Sequence, residues 1–206
     1  MVDRQLRRRG IVDERVLAAM AEVPRELFVP PAFAARAYDD AALPIGHGQT
    51  ISQPYMVALM CELLRLHGDE TVLDVGTGSG YAAAVLARVA RWVVSIERVP
   101  ELAAQAEDAL AAAGVGNAIV VVGDGSTGGP GHAPYDAIAV AAASPVVPDG
   151  LVRRLAPGGR LVIPVGSRQD QSLALVERQG DEIAVRRTVA CRFVPLLGAG
   201  AFEGGD

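Results

Sequence analysis

The feature that most constrains the fold is a glycine-rich turn between a short apolar run and an alanine-rich segment. The run Thr71–Val75 is apolar and β-branched, which predicts a buried parallel strand. Gly76, Gly78 and Gly80 follow at alternate positions, and Tyr81–Val89 is predicted to be helical. A strand, a glycine turn and a helix in this order bring backbone N–H groups close to a bound nucleotide. The chain is therefore predicted to contain an α/β nucleotide-binding unit.

The spacing of these glycines distinguishes between two nucleotide ligands. The pattern is G-x-G-x-G and not the dinucleotide fingerprint G-x-G-x-x-G, because Tyr81 stands where the later glycine would fall. The run resembles the first motif of class I methyltransferases, and S-adenosylmethionine is the cofactor that this resemblance implies. An NAD-dependent reductase is the alternative, and the glycine spacing and the lack of a Tyr-Lys or His-based hydride site disfavour it.

Strands and helices alternate after the glycine turn. Such alternation, followed by a terminal hairpin, predicts a Rossmann-like, doubly wound α/β fold with a mostly parallel seven-stranded sheet and an antiparallel C-terminal hairpin. Besides Thr71–Val75, the predicted strands are Trp92–Ile96, Ala118–Val122, Tyr135–Val140, Arg160–Val165, Ser172–Arg178 and Glu182–Val194. The further helices predicted between them are Pro100–Ala113 and Pro148–Leu155.

The domain organisation predicted from the sequence is simple. Residues 1–206 are expected to form one domain, since the chain has no internal repeat, low-complexity tract or linker. Residues 1–66 are expected to form an N-terminal helical cap with a substrate loop, and residues 67–206 the core sheet.

The sequence predicts four structural features within residues 1–66. Met1–Arg9 is expected to be a short charged helix, and Asp13 is expected to cap the helix that follows it. Leu43–Pro54 is predicted to be a long functional loop, because polar and glycine residues dominate it. Pro54–Leu66 is predicted to be a helix that Gly68 ends.

Composition excludes several classes of function. Of the 206 residues, 50% are hydrophobic and 21% charged, and the net charge of -5 argues against a nucleic-acid-binding surface. No apolar run indicates a signal peptide or a membrane span, so we expect no membrane partner. Cys61 and Cys191 are interpreted as buried thiols of a cytoplasmic protein. The histidines His47, His67 and His132 are scattered, which predicts no metal site.

Acidic side chains stand at the ends of three predicted strands of the sheet. Glu97 closes the second strand about 20 residues after the first glycine, where an acid in such folds binds ribose hydroxyls. Asp74 precedes the glycines, where it could hold the N–H groups of the turn or place negative charge near a sulfonium. Asp124, beside Gly125, could reach the adenine region, although an Asp-Gly turn is the alternative interpretation.

Ser52 has two compatible interpretations. It precedes Gln53 and Pro54 at the start of a predicted helix, which is typical of an N-cap. A hydroxyl at a helix N-terminus also lies where anionic groups are favoured. No His/Asp pair at recognisable spacing marks it as a nucleophile, and His47, between two glycines, is a weak candidate for a general base.

Taken together, the motifs resemble the protein-L-isoaspartate O-methyltransferase family along nearly the whole chain. The run Gly48–Pro54, with sequence Gly-Gln-Thr-Ile-Ser-Gln-Pro, is specific to that family, whereas many methyltransferases share the glycine motif. The other matching stretches are Val23–Pro30, Ala37–Asp40, Ala42–Gly46, Val72–Tyr81, Ser95–Arg98, Gly123–Gly125, Pro134–Ala137, Leu155–Gly166 and Phe193–Leu196.

The resemblance implies a function and a set of site residues. It implies methyl transfer from S-adenosylmethionine to the free carboxylate of L-isoaspartyl residues in damaged peptides and proteins, which initiates repair through a succinimide. Ser52 is the implied active-site residue, and no metal is implied. The implied cofactor-binding residues are Thr50, Ile51, Asp74, Gly76, Thr77, Gly78, Ser79, Gly80, Glu97, Arg98, Asp124 and Gly125.

The acceptor side is less closely specified. The resemblance implies a groove made by the N-terminal segment, Thr50–Pro54 and Ala141–Pro145, and it leaves open whether His47 or Asp39 contacts the acceptor. Ala82 and the stretch Val140–Ser144 depart from the family pattern, which puts the acceptor preference in doubt. The alternatives are a related carboxyl methyltransferase for one dedicated peptide product, and a non-catalytic adenosyl-binding module. A cytoplasmic monomer is expected.

Overall fold

The computed structural model describes residues 1–129, 131, 133–199 and 201–202. Over these residues the chain forms a seven-stranded sheet and a separate two-stranded hairpin. The hairpin consists of β1 (Leu43–Gly46) and β2 (Gln49–Ile51). The strands of the large sheet are β3 (Thr71–Val75), β4 (Trp92–Glu97), β5 (Ala118–Val122), β6 (Tyr135–Val140), β7 (Leu155–Gly166), β8 (Gln171–Gln179) and β9 (Glu182–Cys191).

The order of the strands confirms the predicted fold class. The sheet runs β5-β4-β3-β6-β7-β8-β9, and β3 to β7 are parallel, whereas β8 and β9 are antiparallel. The order reverses between β3 and β6, which lie side by side in the sheet. In open α/β sheets this reversal leaves a crevice at the carboxyl ends of the strands, where ligands bind.

Helices cover both faces of the sheet. Among the described residues the α-helices are α1 (Glu14–Glu22), α2 (Pro54–Leu64), α3 (Tyr81–Val89), α4 (Pro100–Ala112) and α5 (Asp149–Arg153). Side chains alternate between the two faces along each strand, as in β3, where Val72 packs into one apolar cluster and Leu73 into the other. Pro54 and Pro100 stand in the first turn of α2 and α4, where a proline has no N–H to lose.

Several predicted boundaries were wrong. Helix α2 ends at Leu64 with Arg65 in the left-handed region at φ 51°, so the chain leaves the helix before Gly68. The short helix near position 150 is limited to Asp149–Arg153, and β7 begins at Leu155. The strand β7 is therefore longer than predicted, because Leu155 already pairs with Tyr135 at the start of β6, whereas pairing with β8 begins at Arg160.

The N-terminal segment is irregular. Residues Val2–Leu6 form a π-helical turn and Arg7–Arg9 a 3-10 turn, so the predicted short helix is replaced by these two turns. Asp13 caps α1 by accepting a hydrogen bond from the Arg15 N–H at 2.9 Å, as predicted. Two more 3-10 segments, Arg25–Phe28 and Pro31–Arg36, lead to the hairpin.

The segment Leu43–Pro54 is not the long loop that the sequence predicted. It contains the antiparallel pair β1 and β2, joined by a turn in which His47 has φ 51° and Gly48 φ 69°. Two successive residues with positive φ are typical of the tight turns that fit the twist of a hairpin. The two glycines and Pro44 made this segment resemble a loop in the sequence.

Both cysteines are free thiols. Cys61 is buried in α2, and burial raises its pKa to about 12, so the thiolate is not accessible at neutral pH. Cys191 is only half-buried, which is more exposure than predicted.

Within the described part of the chain, no helix combines the length and the apolar character that crossing a bilayer requires.

Candidate active site

A cavity of about 310 Å³ opens at the carboxyl edge of the parallel strands. Its walls come from the ends of four neighbouring strands, and the residues at these ends are Val75 in β3, Ile96 in β4, Gly123 after β5 and Ala141 after β6. The Ala141 N–H donates to the Val75 carbonyl at 2.8 Å, which keeps β3 and β6 together at the switch in strand order. The cavity therefore lies where a doubly wound sheet binds nucleotides.

The glycine turn forms the floor of this cavity. The N–H groups of Gly76 and Thr77 donate to the Ile96 carbonyl at 2.9 and 3.2 Å, which fixes the turn against β4. Gly76 has φ 91° and Gly78 φ 53°, a region that side-chain-bearing residues rarely adopt. Since neither residue carries a side chain, the backbone of the turn is bare toward the cavity.

Glu97 lies on the cavity wall and is only 6% exposed. One carboxylate oxygen, Oε2, accepts from the Gly78 N–H at 2.8 Å, and Oε1 accepts from Arg98 and Val99 at 2.9 and 3.0 Å. The carboxylate thus connects the end of β4 to the glycine turn. Oε2 accepts one of these bonds and retains a lone pair that can accept a further donor from a ligand.

Asp74 does not accept the N–H groups of the glycine turn, which is one of the two roles that the sequence suggested. It is fully buried, it is not on the cavity wall, and the Ile96 carbonyl, not Asp74, accepts the N–H groups of the turn. Its Oδ2 accepts from Ser95 Oγ at 2.7 Å, and Ser95 Oγ lies 2.5 Å from Thr77 Oγ1. Burial raises the pKa of Asp74 to about 6, although the Ser95 hydrogen bond opposes that shift. Asp74 therefore supports the turn from below, through two hydroxyl groups.

Gly80 and Asp124 also lie off the cavity wall. A side chain at Gly80 would come within 3.2 Å of Ala106 Cβ, so this glycine allows α3 and α4 to pack closely. Asp124 accepts from the N–H groups of Ser126 and Ala199 at 2.8 and 3.2 Å. Burial raises the pKa of Asp124, but these hydrogen bonds outweigh it and hold the pKa below its ordinary value.

The remaining predicted residues do line the cavity. Gly125 reaches the wall because it lacks a side chain, since a Cβ there would lie 2.6 Å from Val75 Cγ1. Arg98 is exposed at the rim. The predicted residues on the wall are Thr50, Ile51, Ser52, Gly76, Thr77, Gly78, Ser79, Glu97, Arg98 and Gly125.

Ser52 directly follows β2, and its backbone carbonyl is fixed by a hydrogen bond. It is not the N-cap of α2, because Gln53 stands in that position and provides no side-chain cap. The Ser52 carbonyl accepts from Arg25 Nη2 at 2.7 Å. Since the predicted cap does not form, the Ser52 hydroxyl is not used to begin the helix.

A second cavity, of about 330 Å³, adjoins the first and is termed here the groove. Thr50, Ser52, Ala141 and Val194 line both cavities, so the two meet along a common wall. The groove is further lined by Arg9, Asp40, Ala41, Ala42, Gln53, Tyr55, Met56 and residues 189–193.

Three contacts define the N-terminal side of the groove. Arg9 Nη1 donates to Asp40 at 2.9 Å, and the Arg9 guanidinium lies 3.6 Å from the centroid of the Tyr55 ring. Gln53 Nε2 donates to the Asp40 carbonyl at 3.0 Å. Asp39 lines neither cavity and pairs with Arg36, whereas His47 lines the first cavity.

Sequence reasoning missed two parts of the site. Residues 194–197, after β9, close the first cavity, and Leu196 is held there because its N–H donates to the Ala143 carbonyl at 2.7 Å. Arg25 is fully buried behind Ser52. Arginine is seldom fully buried, but exposure is not visible in a single sequence, so only the position of Arg25 in a family-like stretch could have drawn attention to it.

Solved structures define the class of this protein. A protein-L-isoaspartate O-methyltransferase structure superposes with a TM-score of 0.83 at 30% identity, over 95% of this chain and 64% of its own length. A structure from Plasmodium falciparum, described as a protein-L-isoaspartate O-methyltransferase in complex with S-adenosyl-L-homocysteine, gives 0.80 at 27% identity, over 93% and 94% of the two chains. The fold and the glycine turn are thus those of a Rossmann-like, S-adenosylmethionine-dependent methyltransferase.

Sequence comparison defines the family within that class. Residues 1–201 match the sequence profile of the family described as protein-L-isoaspartate(D-aspartate) O-methyltransferase. A protein-L-isoaspartate O-methyltransferase of Methanoregula boonei is 55% identical over 203 residues, which cover 98% of this chain and 94% of the relative. The chain belongs to the protein-L-isoaspartate(D-aspartate) O-methyltransferase family.

Proposed function

We propose that this chain transfers a methyl group from S-adenosylmethionine to the free carboxylate of L-isoaspartyl residues in peptides and proteins. The backbone amide nitrogen of the next residue can attack the carbonyl carbon of the methyl ester and expel methanol, whereas an ionised carboxylate has no comparable leaving group, so the succinimide that begins repair can form in solution. The family membership and the S-adenosyl-L-homocysteine complex of the Plasmodium falciparum relative support this assignment.

One observation carries the proposal from the structure itself. The cavity at the sheet edge and the groove share Thr50, Ser52 and Ala141, so two ligands bound in them would meet at the Ser52 hydroxyl. A transferase for a small donor and a peptide acceptor requires two adjoining sites of this kind. We assign the first cavity to the donor and the groove to the acceptor.

The residues of the first cavity fit an adenosyl donor. The carboxylate of Glu97 retains a lone pair for a ribose hydroxyl, and Gly76 and Gly78 leave the backbone accessible. Ile96 and Val99 provide apolar surface beside Glu97 for a base. We assign Asp74 and Gly80 supporting roles, and Asp124 the role of fixing the turn after β5 through the N–H groups of Ser126 and Ala199.

The acceptor needs alignment and no proton transfer. An α-carboxyl group has an ordinary pKa near 3.5, so it is already ionised at neutral pH and can attack without a general base. The donor supplies an electrophilic methyl group. We propose that the Ser52 hydroxyl donates a hydrogen bond to one carboxylate oxygen and so directs the other oxygen toward the methyl carbon. Such positioning can contribute about 7–11 kcal/mol to a rate acceleration.

Methyl transfer from labelled S-adenosylmethionine to paired peptides tests this function. The two peptides have the same sequence, and one contains an isoaspartyl residue where the other contains aspartate. We expect label only in the isoaspartyl peptide, as a base-labile ester. Label in neither peptide, despite binding of S-adenosylhomocysteine, would contradict the proposal, and equal label in both would assign a different acceptor.

We further infer that one copy of the chain, acting as a single catalytic domain in the cytoplasm and without nucleic acid, performs the reaction. The net charge of -5 supports the inference that no nucleic acid takes part. Residues 1–66 supply the hairpin and residues 67–206 the sheet edge, and the common wall needs both. Light scattering of the active protein tests the state of assembly, and a dimer at assay concentrations would contradict it.

A further inference from the structure

Arg25 is the largest fully buried side chain that the proposed reaction does not use directly. Its exposure is 0%, and it forms no ion pair with any described residue. A buried cation without a carboxylate partner is costly, so it is retained only where its hydrogen bonds compensate. The contacts of Arg25 therefore indicate what it is for.

Those contacts join three segments that are distant in the sequence. Nε donates to the Ala37 carbonyl and Nη2 to the Ser52 carbonyl, each at 2.7 Å. The guanidinium carbon lies 4.5 Å from the centroid of the ring of Tyr81, which is the residue directly after the glycine turn. A planar guanidinium presents separate nitrogens to two carbonyls and stacks on a ring at once, whereas an ammonium offers a single donor nitrogen and no planar face.

We propose that Arg25 is a positioning residue for the reaction: its guanidinium fixes the Ser52 peptide and thereby orients the Ser52 hydroxyl toward the acceptor carboxylate. This inference rests on the proposed function, since it acts through Ser52. The donor side depends on Arg25 much less. Tyr81 is also held by the Phe28 ring, edge-on with centroids 5.6 Å apart, and by its hydroxyl, which lies 3.7 Å from Met20 Sδ.

The substitution Arg25→Lys tests the proposal, because it keeps the charge but replaces the two separate donor nitrogens and the planar fork with one nitrogen. We expect kcat with the isoaspartyl peptide to fall about 10–100-fold, since a small misplacement of a reacting group has effects of this size. The dissociation constant of S-adenosylhomocysteine should stay within about 3-fold of wild type. Arg88→Lys is the matched control, because Arg88 also donates to a carbonyl, that of Ala113, but lies outside both cavities.

A double-mutant cycle separates positioning from general support of the fold. In a Ser52→Ala background, Arg25→Lys should lower kcat by less than about 3-fold, because the hydroxyl that it orients is gone. An equal loss in both backgrounds, or no loss in either, would overturn the proposal. An inactive wild type would instead contradict the proposed function, and the inference would fail with it.

If Arg25→Lys does not fold, the Nε–H and Nη–H resonances of the wild-type protein decide the question. Hydrogen-bonded Arg25 protons should exchange slowly with solvent. They should also shift when the isoaspartyl peptide is added in the presence of S-adenosylhomocysteine, and that shift should be lost in Ser52→Ala. Arg25 signals that do not respond to the peptide would overturn the proposal.

Discussion

The donor cavity and the groove meet at Ser52, but the chain builds them in different ways. The donor cavity is made by the ends of β3 to β6 and by the glycine turn, which are positioned by backbone hydrogen bonds within a regular sheet. The groove is made by 3-10 turns, a short hairpin and the segment after β9. It is held by side chains such as Arg9, Arg25 and Gln53, which contact backbone or side chains far along the chain.

This difference predicts that the two sites respond separately to substitution. Changes on the sheet edge should alter donor binding and stability, because they disturb backbone hydrogen bonds. Changes in the hairpin and the N-terminal segment should alter kcat or the acceptor KM and leave the donor in place. The substitutions below test that separation.

The largest expected effect is on donor affinity. Glu97→Ala removes a carboxylate that accepts three backbone N–H groups, and hydrogen bonds to charged groups contribute about 1.5–3 kcal/mol each. We expect S-adenosylhomocysteine to bind at least about 100-fold more weakly by calorimetric titration. Glu101→Ala, which changes an exposed acid in the first turn of α4, is the control. Affinity of Glu97→Ala within about 3-fold of wild type would place the ribose elsewhere.

The next effect is on turnover. Ser52→Ala should lower kcat for the isoaspartyl peptide about 30–100-fold with little change in S-adenosylhomocysteine affinity, because the hydroxyl aligns only the acceptor. Steady-state kinetics with a parallel binding titration measure both quantities. Ser167→Ala, in an exposed turn outside both cavities, should leave both unchanged. Equal turnover by wild type and Ser52→Ala would remove Ser52 from the mechanism.

A third effect concerns the pH dependence of protein stability, to which Asp74, buried below the glycine turn, contributes. The pKa of Asp74 is about 6 in the fold and about 3.9 in an unfolded chain, so the native state holds this proton more tightly. The contribution of Asp74 to the free energy of unfolding therefore falls as pH rises from about 4 to 6, by about 2–3 kcal/mol in total.

Asp74→Asn should remove this dependence, because the amide cannot ionise. Urea unfolding of both proteins at pH 4, 5, 6 and 7 measures it. The stability of Asp74→Asn relative to wild type should increase across that range and level off above pH 6. A difference that is constant with pH would show that Asp74 ionises without penalty.

The smallest expected effect is at the entrance to the groove. Arg9→Ala removes a surface ion pair with Asp40 and a cation–π contact with Tyr55, which together contribute about 1 kcal/mol. The acceptor KM should rise about 3–5-fold with donor affinity unchanged. Arg7→Ala also removes a surface ion pair, with Glu14, but away from the groove, and it should leave the KM unchanged. Weaker binding of S-adenosylhomocysteine by Arg9→Ala would mean that the donor cavity and the groove are coupled.

The sequence predicted the donor side well because its signals are local. The strands Thr71–Val75, Ala118–Val122 and Tyr135–Val140 and the helix Tyr81–Val89 have the predicted bounds, and each follows from its apolar pattern and a flanking glycine or proline. One of the two roles suggested for Asp74, that of accepting the N–H groups of the glycine turn, is wrong, because the Ile96 carbonyl of the neighbouring strand accepts those of Gly76 and Thr77 instead.

The acceptor side could be predicted only in part because its contacts are not local. Arg25 and Ser52 are 27 residues apart, and nothing between them signals that a guanidinium meets that carbonyl. The hairpin resembled a loop because its strands have four and three residues and meet at His47 and Gly48. Residues 194–197 reach the cavity only because β9 directs the chain back across the sheet edge.

The antiparallel end of the sheet has a consequence for aggregation. Strand β9 is the outermost strand and exposes Ile183 and Val185, and such an edge can template pairing with another polypeptide. Arg186 and Arg187 follow directly on the same strand, and a second β9 aligned alongside would bring like charges together. These two cations act as gatekeepers, so replacing them with neutral β-formers would lower the colloidal stability of the protein without touching either ligand site.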